Sequence, residues 1–154
     1  TNAEINFTNQ KKVFLAIIDL IRIQKMDSLF KFIIDNLPKK IDIDYVNIVS
    51  ANKLIKKYGG IYVEAEKIKN ITENKDTIIM DVVDDELGIF SSDLDFIYSN
   101  ALVPVDDNIL NVPTLIVYGS KSKLFIDNKG SDLIVFLSKI IQEQFHRLKN
   151  ENFL

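Results

Sequence analysis

NALVPVDDNILNVPTLIVYG, residues 100–119, decides the fold. Two arms rich in β-branched residues, 100–105 and 112–119, flank the polar run Asp106-Asp107-Asn108. That pattern predicts two adjacent strands joined by a turn, with the centre of a sheet lying in their arms. Downstream, Asp127 or Ser131 can cap a long helix through Leu148, with Leu133, Leu137, Ile140, Ile141 and Leu148 on one face. Ile134, Phe136 and Phe145 widen that face beyond a single core-facing stripe.

Upstream, residues 43–50 alternate with the two-residue period of a strand, Ile43, Tyr45 and Asn47 on one side and Val46 and Ile48 on the other. Lys56, Lys57 and Gly59-Gly60 predict a turn into a short strand over 61–63. A brief helix over 64–71, with Ile68 and Ile71 inward, and a strand over 77–83 follow. Residues 84–99 combine an acidic cluster with Gly88, Phe90, Phe96 and Tyr98, and read as loop with one helical turn.

Two helices open the chain. The first is expected from Thr8 or Asn9 to Ile23, its apolar residues Val13, Phe14, Leu15, Ile17, Ile18, Leu20 and Ile21 covering more than one face, so that it needs two partners. The second, from Asp27 or Ser28, buries Leu29, Phe30, Ile33, Ile34 and Leu37 and is expected to stop at Pro38. Residues 1–7 read as a disordered or cloning-derived start, 8–150 as one domain and 151–154 as a tail. The order of elements lacks the strict alternation of a parallel doubly wound sheet and fits an antiparallel sheet covered by terminal helices, an α+β class.

The chain has 154 residues, 47% of them hydrophobic, enough to bury a continuous core. A net charge of -3 and a pI near 5.2 disfavour a nucleic-acid partner, because the broad positive field such binding uses is missing. The longest apolar helical stretch, 13–23, is interrupted by Asp19 and Arg22 and is shorter than the roughly 20 residues a bilayer needs. The N-terminal residues lack the basic start and apolar run of a secretory signal. The expectation is a cytoplasmic protein without a membrane partner.

There is no cysteine, which removes thiol nucleophiles, thiolate zinc sites, disulfides and thioether-linked chromophores. The single histidine, His146, falls in the last turns of the final helix, where a positive charge suits the helix dipole, and no serine triad can be assembled without another base. Asp81, Asp84, Asp85 and Glu86 are the strongest metal candidates, since hard cations want several carboxylate oxygens, but their spacing matches no calcium loop and a solvated loop rim explains them. Lys39-Lys40 and Lys56-Lys57 read as solvated ends of elements, and Gly59-Gly60 precedes a strand rather than the helix a phosphate loop requires. No catalytic residue, metal or cofactor is expected, and a metal-dependent enzyme built on Asp81, Asp84 or Glu86 is the weakest reading. Tyr62, Phe90, Phe96, Tyr98 and Tyr118 form an aromatic set able to line a small-molecule pocket or to serve as core.

The run Asn100-Ala-Leu-Val-Pro-Val, then Leu115-Ile-Val-Tyr-Gly-Ser-Lys-Ser-Lys-Leu-Phe125, then a helix beginning near Gly130-Ser-Asp-Leu, resembles the carboxyl half of a GAF domain, and in particular the bacterial DUF484 family. That family has an ALVPL-like strand, an LLALGS-like strand, a short polar turn with Phe and a final helix, in the same order and spacing. The amino half matches in pattern, and the resemblance spans about residues 8–148. It implies a GAF-like (PAS/GAF-type) antiparallel sheet of five or six strands, with the N- and C-terminal helices packed on one face. The aromatic set would then meet where such domains hold small molecules. The cyclic-nucleotide branch of GAF domains adds an Asp-Glu pair after its Phe, and none follows Phe125 here at that distance. Two readings follow: a non-catalytic sensory module that binds a small molecule and signals through helix packing, or a purely structural homodimeric module. In both, the apolar excess of the end helices, at Val13, Ile17, Leu20, Ile140 and Leu148, forms the homodimer interface.

Overall fold

A computed structural model describes residues 2–72, 79–82, 85, 87–90, 97–127 and 132–149. Helix α1 (Asn2–Ile21) leads into α2 (Met26–Lys31), a π-helical segment (Phe32–Asn36) and α3 (Leu37–Lys40). Strand β1 (Tyr45–Ser50), a 3₁₀ helix (Lys53–Tyr58), β2 (Ile61–Tyr62) and α4 (Ala65–Thr72) follow. The remainder is β3 (Ile79–Val82), β4 (Ser99–Pro104), α5 (Asp107–Leu110), β5 (Thr114–Ser120), α6 (Leu124–Asp127) and α7 (Asp132–Leu148). The class is α+β.

The strand order is β2-β1-β5-β4-β3, and β5, buried at all seven positions, lies at its centre as its apolar sequence requires. β1 pairs antiparallel with β5 from Tyr45↔Gly119 to Ser50↔Thr114, and β5 pairs antiparallel with β4 from Ser99↔Ser120 to Pro104↔Leu115. β3 extends the antiparallel ladder at the far edge, Ile79 opposite Leu102. The two-residue β2 runs parallel to β1, Val49 opposite Ile61. The antiparallel sheet of five or six strands implied by the resemblance is corrected accordingly: four strands carry the antiparallel ladder, and the short parallel edge makes the sheet mixed. The 3₁₀ helix causes this. Asn52 caps it by accepting a hydrogen bond from the Leu54 amide at 3.0 Å, and Gly59 closes it in the left-handed region at φ 93°, so the chain returns beside β1 in the same direction.

Alternation then sorts the two faces of the sheet. Val46, Ile48, Ala101, Val103, Ile116 and Tyr118 meet α1, α2, the π segment, α3 and α7 in the larger core. Val49, Leu102, Leu115 and Val117 meet Val63, Ile68 of α4, Phe90 and Ile97 on the other face. Both terminal helices therefore share one face. α7 runs alongside α1: Gln144 donates its amide to the Leu20 carbonyl, and Arg147 donates to the Ile23 carbonyl.

Three local expectations are corrected. α1 includes residues 2–7 rather than starting at Thr8 or Asn9, as the low incremental cost of extending an existing helix allows. The second helix passes Pro38: the Leu37 amide reaches back five residues to the Phe32 carbonyl, and this wider turn accommodates the ring and the missing N–H at the start of α3. Between β4 and β5 stands not a tight hairpin turn but the helical turn α5, nucleated by Asp106, whose carboxylate accepts from the Asn108 amide at 2.9 Å while Ile109 and Leu110 go into the core. The expected caps of the last helix divide: Asp127 ends α6 and Ser131 lies outside the described residues, as do most of 84–99 and the tail 151–154. Among the described residues no helix is long and apolar enough to cross a membrane.

Candidate functional site

The aromatic set is divided by the sheet. Tyr118 points into the helical face, fully buried, with its hydroxyl 2.8 Å from that of Ser138 on α7. Burial pushes the Tyr118 phenol well above its usual range, against the weaker opposing pull of the Ser138 hydrogen bond. Phe90 lies on the opposite face, where its ring meets Tyr45 edge-on at 5.5 Å. Tyr62 packs at the margin of the helical core, with the ammonium groups of Lys53 and Lys56 at 5.8 and 5.5 Å from its ring. Tyr98 is half-buried and donates its main-chain amide to the Ser120 carbonyl at 2.8 Å, continuing the β4–β5 ladder. Phe96 lies outside the described residues. Tyr118 and Phe90 thus cannot line one cavity.

The face opposite the helices brings Phe90 of that set together with Tyr45 and Ile97, which sequence reading did not assign to a site. Tyr45, Phe90 and Ile97 surround Gly119, which sits opposite Tyr45 in the β1–β5 register. Asn47, buried, donates its side-chain amide to the Tyr45 hydroxyl at 3.1 Å. Desolvation raises the Tyr45 phenol pKa more than that hydrogen bond lowers it. A Cβ at Gly119 would stand 3.0 Å from Ile97 Cγ2 and 3.2 Å from Phe90 Cε1, so the space is filled by side chains. The signal available in the sequence was the glycine inside an otherwise apolar strand, which marks close approach of neighbours.

The interface residues expected on the end helices divide by burial. Val13 and Leu20 are buried inside the chain, and Ile17, Ile140 and Leu148 pack at the edge of the same core. The open side of α1 instead shows Phe14, Leu15, Ile18 and Ile21, 51, 53, 41 and 53% exposed. Their spacing of three and four residues makes them one stripe, and Lys11 and Arg22, both exposed, stand at its two ends.

The polar candidates take structural positions. Asp85, at φ 50°, turns the chain and accepts from the Phe90 amide at 3.0 Å. Asp81 belongs to β3, while Asp84 and Glu86 lie outside the described residues. Among the described residues no group of three or more His, Cys, Asp or Glu is placed to hold a metal ion. His146 is exposed on the last turn of α7. Lys40 pairs with Asp19 at 2.9 Å, and Lys57 lies over the ring of Tyr58 at 5.1 Å. No protein-family model matches the chain, and no curated protein matches its sequence.

Proposed function

We propose that this protein is a non-catalytic regulatory module of GAF-like organisation that works by helix-mediated homodimerisation. The observation that carries the reading is the apolar stripe Phe14, Leu15, Ile18 and Ile21 on the outside of α1, four large side chains about half exposed along one helical face. A contiguous apolar stripe of this kind is the usual mark of an association surface. The GAF-like part is supported by the α+β class and by the two terminal helices lying together on one face of the sheet, where α1 can report on the core through α7. A small molecule taken up on the opposite face, as in a sensor, would have to displace Phe90 or Ile97 from around Gly119. Without that displacement the module is purely a structural homodimer.

Light scattering on the purified protein tests the dimer. The expected mass is twice that of the 154-residue chain, shifting to the monomer in Ile18→Glu with an unchanged circular dichroism spectrum. A wild-type monomer at 100 micromolar, roughly, overturns the reading, because such a stripe would then be open in the working form.

A further inference from the structure

A cleft of about 530 Å³ opens where the α1–α2 turn, the end of the 3₁₀ helix and the end of α7 meet, lined by Gln24, Lys25, Met26, Asp27, Lys57, Tyr58 and Leu148. Its volume is in the range of small-molecule sites, roughly 300–1,000 Å³. It lies on the helical side of the molecule, and neither Gly119 nor any of the four residues of the α1 stripe lines it.

The chemistry of the walls is two-sided. Met26, the ring of Tyr58 and Leu148 supply apolar surface. Tyr58 is held in place: it stacks on Phe30 with centroids 5.0 Å apart and planes 18° apart, and the Lys57 ammonium sits 5.1 Å over it. Gln24 is held by Arg147, whose Nη1 donates to its Oε1 at 3.3 Å. Lys25 and Lys57 bring positive charge to the rim, and among the described residues neither has an ion-pair partner; the ion pairs there are Lys12–Asp42 and Lys40–Asp19. The single carboxylate in the wall, Asp27, turns back to accept from the Ser28 amide at 2.9 Å. This concentration of cations is local, in a chain of net charge -3.

We infer that this cleft is a binding site for a small organic anion, a carboxylate or phosphate head on an apolar body, with Lys25 and Lys57 taking the head and Met26, Tyr58 and Leu148 the body. Two cations without carboxylate partners beside a braced aromatic wall select for negative charge, and the apolar side chains beside them favour an anion with an apolar body over an inorganic ion. The inference does not depend on the dimer.

Titration of the ¹⁵N-labelled full chain with octanoate and with octyl phosphate, followed by amide chemical shifts, tests it. The expected result is saturable shifts at Gln24–Asp27, Lys57, Tyr58 and Leu148, with octanol and inorganic phosphate at least about tenfold weaker. Lys25→Glu and Lys57→Glu, both at exposed positions, weaken octanoate about tenfold, whereas Lys57→Arg and the neighbouring Lys53→Glu stay within about twofold. Octanol binding as tightly as octanoate, or shifts confined to residues around Gly119, overturns the proposal. So does Lys53→Glu weakening binding as much as Lys57→Glu, which would make the effect general electrostatics. Phosphatidylglycerol vesicles acting on these amides while octanoate does not would make the surface a membrane contact and likewise end it. The Ile18→Glu variant should bind octanoate as wild type does, separating failure of this site from failure of the dimer.

Discussion

Tyr118 in the central strand and Ser138 in the last helix meet hydroxyl to hydroxyl at 2.8 Å, and Ser138 in turn donates to the Ile134 carbonyl at 2.7 Å. Both residues are completely buried, so this small polar pair fixes how α7 sits on the sheet in surroundings where an unmatched hydroxyl would be unfavourable.

Tyr118→Phe keeps the ring and removes the pair, and should lower stability by about 1 kcal/mol, measured by urea unfolding. The pH dependence has a definite sign. The folded phenol pKa lies above the ordinary 10.0, so unfolding above that pH releases a proton. Wild-type stability is therefore fully present below pH 10 and declines as the pH rises past it. Tyr118→Phe should show a shallower alkaline decline; equal slopes in the two proteins would mean the phenol does not carry the effect.

The two sides of α1 should respond oppositely to charge. Leu20→Glu puts a carboxylate into a fully buried position and should unfold the protein or cost more than about 3 kcal/mol. Ile18→Glu, two residues away and so roughly 200° round the helix on its exposed side, should leave the melting temperature nearly unchanged while altering the molecular mass. Calorimetry and light scattering on the same pair of variants read both.

Lys11 and Arg22, both exposed, lie at the two ends of the α1 stripe, so two copies docked through it bring like charges together. The dimer should tighten as salt rises from roughly 0.05 to 0.5 M, by screening of that repulsion. Sedimentation velocity across that series checks it, and weakening with salt would place the interface elsewhere.

Gly60 cannot accept a side chain. A Cβ there would come within 2.4 Å of Ile55 Cγ1 and 3.1 Å of the Ile48 carbonyl oxygen, and Ile55 is completely buried. Gly60→Ala should destabilise by about 1–3 kcal/mol through this overpacking at the β1–β2 crossover. A neutral result in thermal unfolding would show that Ile55 has room to turn aside.

Much of this architecture is written locally. The apolar run 114–118, with β-branched Thr114, Ile116 and Val117, reads as a buried strand, and the periodic apolar residues of α1 and α7 read as helices. Why α1 and α7 present the faces they do is a different matter. A helix carrying Val13, Phe14, Leu15, Ile17, Ile18, Leu20 and Ile21 is apolar around most of its circumference, so its sequence is nearly indifferent to rotation about its own axis. The position of its neighbours removed that indifference, Gln144 taking the Leu20 carbonyl on one flank and Asp19 pairing with Lys40 on the other. Val13 and Leu20 went inward and Phe14 and Ile18 outward.

The same distinction governs the candidate sites. Composition alone removes cysteine chemistry, and strand periodicity alone separates the side of Val46 from the side of Tyr45. Which aromatic residues meet was decided in three dimensions: Tyr118 and Phe90 fall on opposite faces because β5 alternates, while Tyr58 meets Phe30 because the 3₁₀ helix folds back over α2. The cleft of Lys25, Lys57 and Leu148 joins three distant parts of the chain. Local propensity extends only over neighbouring residues, whereas a site assembled from separate elements exists only once the core has fixed their relative positions.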